Sequence, residues 1–170
     1  MNGNFYSVTA GLRQKAGEIQ VIANNDAALD ATDQSDTGAW KAILQDGSLV
    51  APGTDLTLKY DATTPITIGT GITVRTEAYK ANTFGTVVPA AGITIPNILK
   101  LLGIAPADTA AALGNDYIYL RNDIEGTYSE TVARRGGHWY FHTLFGVFVL
   151  SLHAHRSSSS DFLGARSAFL

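Results

Sequence analysis

RRGGHWYFHTLFGVFVLSLHAHRSSSSDFLGARSAFL, residues 134–170, is the stretch on which the reading of this chain turns. Seven residues, His138 to Leu144, hold three aromatics and two histidines. All four histidines of the protein lie between positions 138 and 155. GVFVLSL, 146–152, is a strand by its branched and aromatic content. A buried hairpin would account for Val147, Phe148, Leu150 and Leu152. It accounts badly for His138, Tyr140, His142, His153 and His155, whose polar rings need partners when buried.

Two chemical readings compete with a contact surface. His153-x-His155 would put two imidazoles on one face of a strand, a ligand geometry to which His138 and His142 could add. Asp161 is the only carboxylate in the cluster, and the spacing matches no strong zinc pattern. The serine run 157–160 beside His153 and His155 suggests a Ser-His pair. No G-x-S-x-G turn precedes it, and closeness in sequence is not triad geometry.

Outward from this segment, 170 residues fit one domain, with 45% hydrophobic and 16% charged residues, a composition that folds. A net charge of −3 carries no electrostatic footprint for nucleic acid. The chain has no cysteine, which removes disulfides, thiolate metal sites and cysteine nucleophiles. The N-terminus has no basic start followed by an apolar run, so no secretory signal is read there. The longest apolar stretch, Trp139 to Ala154, is interrupted and falls short of the roughly 20 residues of a membrane helix. No membrane insertion and no cofactor are expected.

Residues 1–37 are polar and read as a strand and connector, with the strand in AGEIQVIANN, 16–25. The domain proper is expected over 38–170. WKAILQDGSLVAPGT, 40–54, turns at Asp46-Gly47 and predicts a hairpin. DLTLKYD alternates Leu56, Leu58 and Tyr60 on one face, and PITIGTGITV continues with Ile66, Ile68, Ile72 and Val74. ITIPNILKLLG, 93–103, predicts a helix from Pro96 to Gly103 with Ile98, Leu101 and Leu102 as its apolar stripe. A second short helix is expected in APADTAAALG, 105–114. DYIYL and TYSETVA flank RNDIEG and predict a hairpin turning at Asp123 and Gly126.

The final 35 residues contain no Lys, Glu, Gln or Met, whereas residues 1–135 contain 14 residues of these types. By proportion about 3.6 would fall in the final segment. The genetic code gives this gap a meaning. An AAC codon randomised at its two adenines becomes NNC, which cannot encode Lys, Glu, Gln, Met or Trp. It reaches His, Tyr, Phe, Thr, Leu, Ser, Ala, Val and Asp. The framework left between such positions is R-G-G-x-W at 135–139, G-V-F at 146–148, x-L-x-L at 149–152, R-S-x-S at 156–159 and G-x-R-S-A at 164–168.

This framework resembles the variable region of proteins diversified by diversity-generating retroelements. Their C-type-lectin-like domain is related to the formylglycine-generating (sulfatase-modifying) enzyme family, and phage tail-fibre tropism determinants are among them. The resemblance covers about 36 residues. It departs at His142, where many relatives have Gly, and at Ala165, where they often have Phe. The resemblance implies an α+β fold: a C-type-lectin-like domain with short antiparallel strands and two helices, its variable region at about 136–166. The positions resembling ligand-binding variable sites are His138, Tyr140, Phe141, His142, Thr143, Leu144, Phe145, Ser151, His153, Ala154, His155, Ser158, Ser160, Asp161 and Phe162. Those resembling scaffold are Arg135, Gly136, Gly137, Trp139, Gly146, Phe148, Leu150, Leu152, Arg156, Gly164 and Arg166.

The function so implied is non-enzymatic binding of a protein or glycan on a target surface, from a virion tail fibre or a cell surface, with a homotrimer suggested by tail fibres. Tyr, Phe and His would give rigid contact area at low entropy cost, with Tyr140, Phe141, Phe145 and Phe162 as anchors. Formylglycine-generating activity depends on cysteines, which this chain lacks. The alternatives are an invariant structural virion subunit and a histidine-metal enzyme.

Overall fold

Alternation of apolar and polar residues builds short strands throughout this chain. The computed structural model describes residues 6–73, 79–108, 116–137, 149–159 and 163–164. In chain order the strands are β1 (Tyr6–Lys15), β2 (Glu18–Ile22), β3 (Trp40–Ile43), β4 (Leu49–Val50), β5 (Lys59–Asp61) and β6 (Thr67–Gly69). Then come β7 (Tyr79–Thr83), β8 (Val88–Pro89), helix α1 (Asn97–Leu101), β9 (Tyr117–Arg121), β10 (Glu130–Arg135), β11 (Leu150–Ala154) and β12 (Leu163–Gly164). Among the described residues α1 is the one α-helix, joined by three short 3-10 turns. The class is α+β with strands dominant.

The strands form one sheet in the order β7-β9-β11-β10-β1-β2-β5-β6-β8, with β12 on β1, β3 on β2, and β4 on β3. Strands from both halves of this path feed a single core cluster: Leu12, Ile19 and Val21 with Leu58, Tyr60, Ile66 and Ile68, and with Ile118, Leu120, Leu150 and Leu152. The sheet therefore curls around its core, and Leu99 of α1 and Phe84 enter from the connections.

Several expectations hold. The Asp46-Gly47 hairpin is present as β3 and β4, paired Ala42 to Val50, with Gly47 at φ 87° as such a turn requires. The AGEIQVIANN strand is β2. The helix begins after Pro96 and stops before Gly103, at φ 63°. Leu58, Tyr60, Ile66 and Ile68 are all core residues.

Others are corrected. Leu56 is exposed and sits at φ 63°, outside the alternation of β5. The helix stripe is displaced: Leu101 is 87% exposed and Leu102 43%, while Leu99 is fully buried. A helix of barely more than one turn has no continuous stripe, and the approach of its connections decides which side chain points inward. β9 and β10 are both strands but do not pair with each other. β11 lies between them, parallel to β9 and antiparallel to β10. β1, in the N-terminal segment, pairs with β10, β2 and β12. Positions 109–115, where most of the second helix was expected, lie outside the described residues, as does Val74.

Candidate functional site

Register places side chains on the outer face, away from the core. Arg134 of β10 stands between Val8 of β1 and Ser151 of β11, and Ser151 stands beside Tyr119 of β9. Arg121 of β9 stands beside Tyr79 of β7. Directly opposed residues in neighbouring strands share a face, and i, i+2 residues along a strand share it too. The outer face at this end of the sheet therefore carries Tyr79, Tyr117, Tyr119, Arg121, Ser151, His153 and Arg134. Tyr6 packs with Val149 and Tyr119 in a small second cluster.

His153 is the centre of this aromatic face. Its ring meets Tyr79 edge-on at 5.9 Å between centroids and Tyr119 at 5.7 Å, and Tyr117 stacks on Tyr119 at 5.8 Å. Such distances are those of favourable aromatic pairs. The Nδ1 of His153 lies 2.9 Å from Ser151 Oγ. Burial lowers the imidazole pKa to about 4, and the charges of Arg134 and Arg121 push the same way. His153 is thus neutral at neutral pH. Burial likewise pushes the Tyr119 hydroxyl up to about 12 and raises Tyr79. Tyr79 is nevertheless 47% exposed, so the face is open to solvent along β7.

The cations of this face differ in their partners. Arg121 Nε donates to Asp123 Oδ2 at 2.9 Å and the guanidinium lies over the Tyr128 ring at 3.6 Å. Arg134 is 7% exposed, and its buried Nε has no hydrogen-bond partner.

The outer face continues into a polar half around β1 and β2. Arg13, 2% exposed, donates to Gln20 Oε1 at 2.7 Å and Glu130 Oε1 at 2.6 Å, and lies 4.2 Å over the Trp40 ring. Glu18 accepts from Gln20, Thr57 and the Gly53 amide. A cavity of about 510 Å³ opens here, with Trp40 in its lining and Lys15 and Lys59 among its charged groups. Its buried ionic groups are matched to one another, which is what a structural network requires.

Of the residues singled out from sequence, His138, Tyr140, Phe141, His142, Thr143, Leu144, Phe145, Ser160, Asp161 and Phe162 lie outside the described residues, as do Trp139, Gly146, Phe148 and Arg166. His153 joins the aromatic face. Ser151 is fully buried and Ala154 nearly so, so neither side chain is the exposed contact expected of it. β11 is an interior strand, flanked by β9 and β10, and Ser151 sits beneath the rings. His155 and Ser158 fall beyond β11, where His155 Nδ1 pairs with Ser157 Oγ at 2.8 Å. His153 and His155 thus engage separate serines. Among the described residues no group of three His, Cys, Asp or Glu is placed to hold a metal.

The scaffold positions have definite roles. Arg135 Nη2 donates to Leu102 O at 2.9 Å, Gly136 sits at φ 73°, Arg156 binds Glu130, Gly164 lies in β12, and Leu150 and Leu152 are core. Sequence reasoning missed Tyr6, Tyr79, Tyr117, Tyr119 and Arg134 as parts of the face. The signal for two of them was present, since Y-I-Y-L-R alternates with period 2 and sets Tyr117, Tyr119 and Arg121 opposite Ile118 and Leu120.

No family model matches the chain, and no curated protein matches it. Among the described residues no helix is long and apolar enough to cross a membrane.

Proposed function

We propose that this chain is a non-enzymatic ligand-binding protein and that the outer face of the sheet at β7, β9 and β11 forms part of its contact surface. The observation that carries the reading is His153. The resemblance marks it as a variable position, and its ring lies between Tyr79 and Tyr119 on a partly exposed face. Aromatic rings held by their neighbours give contact area without a large loss of rotamer entropy, the property that binding loops exploit. A surface of this kind on a folded protein is itself a marker of interaction.

The wider reading rests on the sequence framework. The domain is C-type-lectin-like and its variable region is rewritten at adenines by a retroelement, on a phage tail fibre or a cell surface. Its target is a protein or glycan, and its assembly is trimeric by analogy with tail fibres. The test is the DNA beside the gene. A near-copy of the segment encoding residues 136–166, differing only at adenines and accompanied by a reverse-transcriptase gene, is the expected finding. An isolated gene without such a copy sinks the diversification. Binding is tested separately, with the labelled protein on a panel of bacterial surfaces. Tyr79→Ser together with His153→Ala is expected to abolish binding with little change in melting temperature.

A further inference from the structure

Arg134 is the anomaly of the outer face. Burying an ionised group without a partner is costly, and folded proteins pair such groups or expose them. The other arginines of this face obey the rule: Arg121 has Asp123, while Arg13 and Arg156 share Glu130. Arg134 is more than nine-tenths buried, its Nε has no partner, and none of the ion pairs among the described residues includes it. The residues flanking it in register are Val8 and Ser151, neither of them acidic. A native orphan of this kind calls for an explanation, and a ligand that brings the missing acceptor is one.

We propose that Arg134 anchors the carboxylate of an acidic sugar bound on the aromatic face, an assignment that rests on the binding role given to that face above. The guanidinium is a planar fork suited to a carboxylate, which it can hold through two parallel hydrogen bonds. On the same face, two and three strands along from it, Tyr119 and Tyr79 flank His153 and offer ring faces to the apolar side of a sugar, and the His153 ring, neutral and held by the buried Ser151, offers a hydrogen-bonding nitrogen. The other described arginine at this end of the face, Arg121, is already paired with Asp123, which fits a ligand with one negative charge. The groups facing His153 are Tyr79 from β7, Tyr119 and Arg121 from β9, and Arg134 from β10, all neutral or cationic at neutral pH. A carboxylate seated on Arg134 would therefore favour protonation of His153, giving a reporter within the site.

The experiment titrates the full chain with glucuronate and with glucose, following binding by NMR and calorimetry. Glucuronate is expected to bind at least about tenfold more tightly than glucose, the worth of one charge-assisted contact. Arg134→Met should abolish that preference, and Arg134→Lys should restore part of it. Tyr79→Ser should weaken both sugars alike and leave the preference intact. Saturating glucuronate should raise the His153 pKa in the parent protein and not in Arg134→Met. Because Arg134→Met removes an unpaired buried charge, its melting temperature should not fall, and a fall would overturn the claim that Arg134 lacks a partner. Equal binding of the two sugars, failure of both to bind, or a preference that survives Arg134→Met overturns the carboxylate assignment. Tighter, Arg134-dependent binding of N-acetylglutamate overturns the sugar as its source. Loss of preference in Arg134→Met with no effect of Tyr79→Ser keeps the anchor and sinks the aromatic contact surface.

Discussion

Arg156 grips Glu130 with two nitrogens, Nη2 at 2.7 Å from Oε1 and Nε at 3.3 Å from Oε2. The same Oε1 also accepts from Arg13 at 2.6 Å. One carboxylate therefore ties the chain just after β11 to β10 and, through Arg13, to β1. Burial would push the Glu130 carboxyl up, but Arg156 and Arg13 together hold it below the usual range. Glu130→Ala leaves Arg13 buried without its best acceptor and should cost about 3 kcal/mol in denaturant unfolding. Arg156→Ala removes the more exposed partner and should cost about 1 kcal/mol. The sign of the pH effect follows from the depressed pKa. The stabilisation is complete above the unfolded value of about 4.3 and is lost as pH falls through the lower folded value. Glu130→Gln should accordingly flatten the acid limb of the stability curve.

His153 gives a titration of the same sign from a different cause, burial rather than ion pairing. Its folded pKa of about 4 lies below the ordinary 6.5, so the unfolded chain binds the proton more readily in between. Stability should decline as pH falls from about 6.5 to 4 and level off beneath that, with the decline no larger than about 3 kcal/mol. His153→Phe should remove this part of the slope. An imidazole carbon resonance that titrates near 6.5 in the folded protein would contradict the burial behind it.

Leu99 and Leu101 differ by two positions and should differ sharply in consequence. Leu99→Ala empties a core site and should cost about 2–5 kcal/mol. Leu101→Ala trims an exposed side chain and should stay within about 0.5 kcal/mol. Equal effects in thermal unfolding would restore the stripe expected from the helix pattern.

Gly38 and Gly71 make a second matched pair. A Cβ on Gly38 would overlap the backbone oxygen of Asp33, whereas one on Gly71 would meet no atom within 4 Å. Backbone cannot swing aside as a side-chain tip can, so Gly38→Ala should cost about 1–3 kcal/mol. Gly71→Ala should be close to neutral, and calorimetry on the two variants would separate them.

The legible parts of this fold are the local ones. Asp46-Gly47 names its own hairpin, and Pro96 and Gly103 bracket their helix, because turn and cap chemistry acts between near neighbours. The pairing of β9 with β11 was hidden, since it joins Ile118 to Leu150 across a strand that pattern alone would pair elsewhere. β1 was hidden for another reason. Arg13, Gln14, Glu18 and Gln20 read as surface residues, yet all are buried in β1 and β2. For Arg13 the compensation comes partly from Glu130, 117 positions away. At the site, the resemblance named Ser151, His153 and Ala154 alike, and the structure sets His153 among the rings while it buries Ser151 and Ala154. Arg134 could not be singled out from sequence, because a buried Nε without a hydrogen-bond partner is a property of the folded molecule alone.

The place of β11 carries a consequence for biosynthesis. A ribosome has made β1 to β10 long before residues 150–154 emerge, yet β11 alone bridges β9 to β10. Until then no strand pairing among the described residues links β7 and β9 to the rest of the sheet. The nascent chain must hold two partial sheets with a slot between them, and β11 closes it. Non-local closure of this kind makes folding slow and delays it until β11 has been made. Substitutions in β11 should therefore be felt first in yield, before any assay of the finished protein.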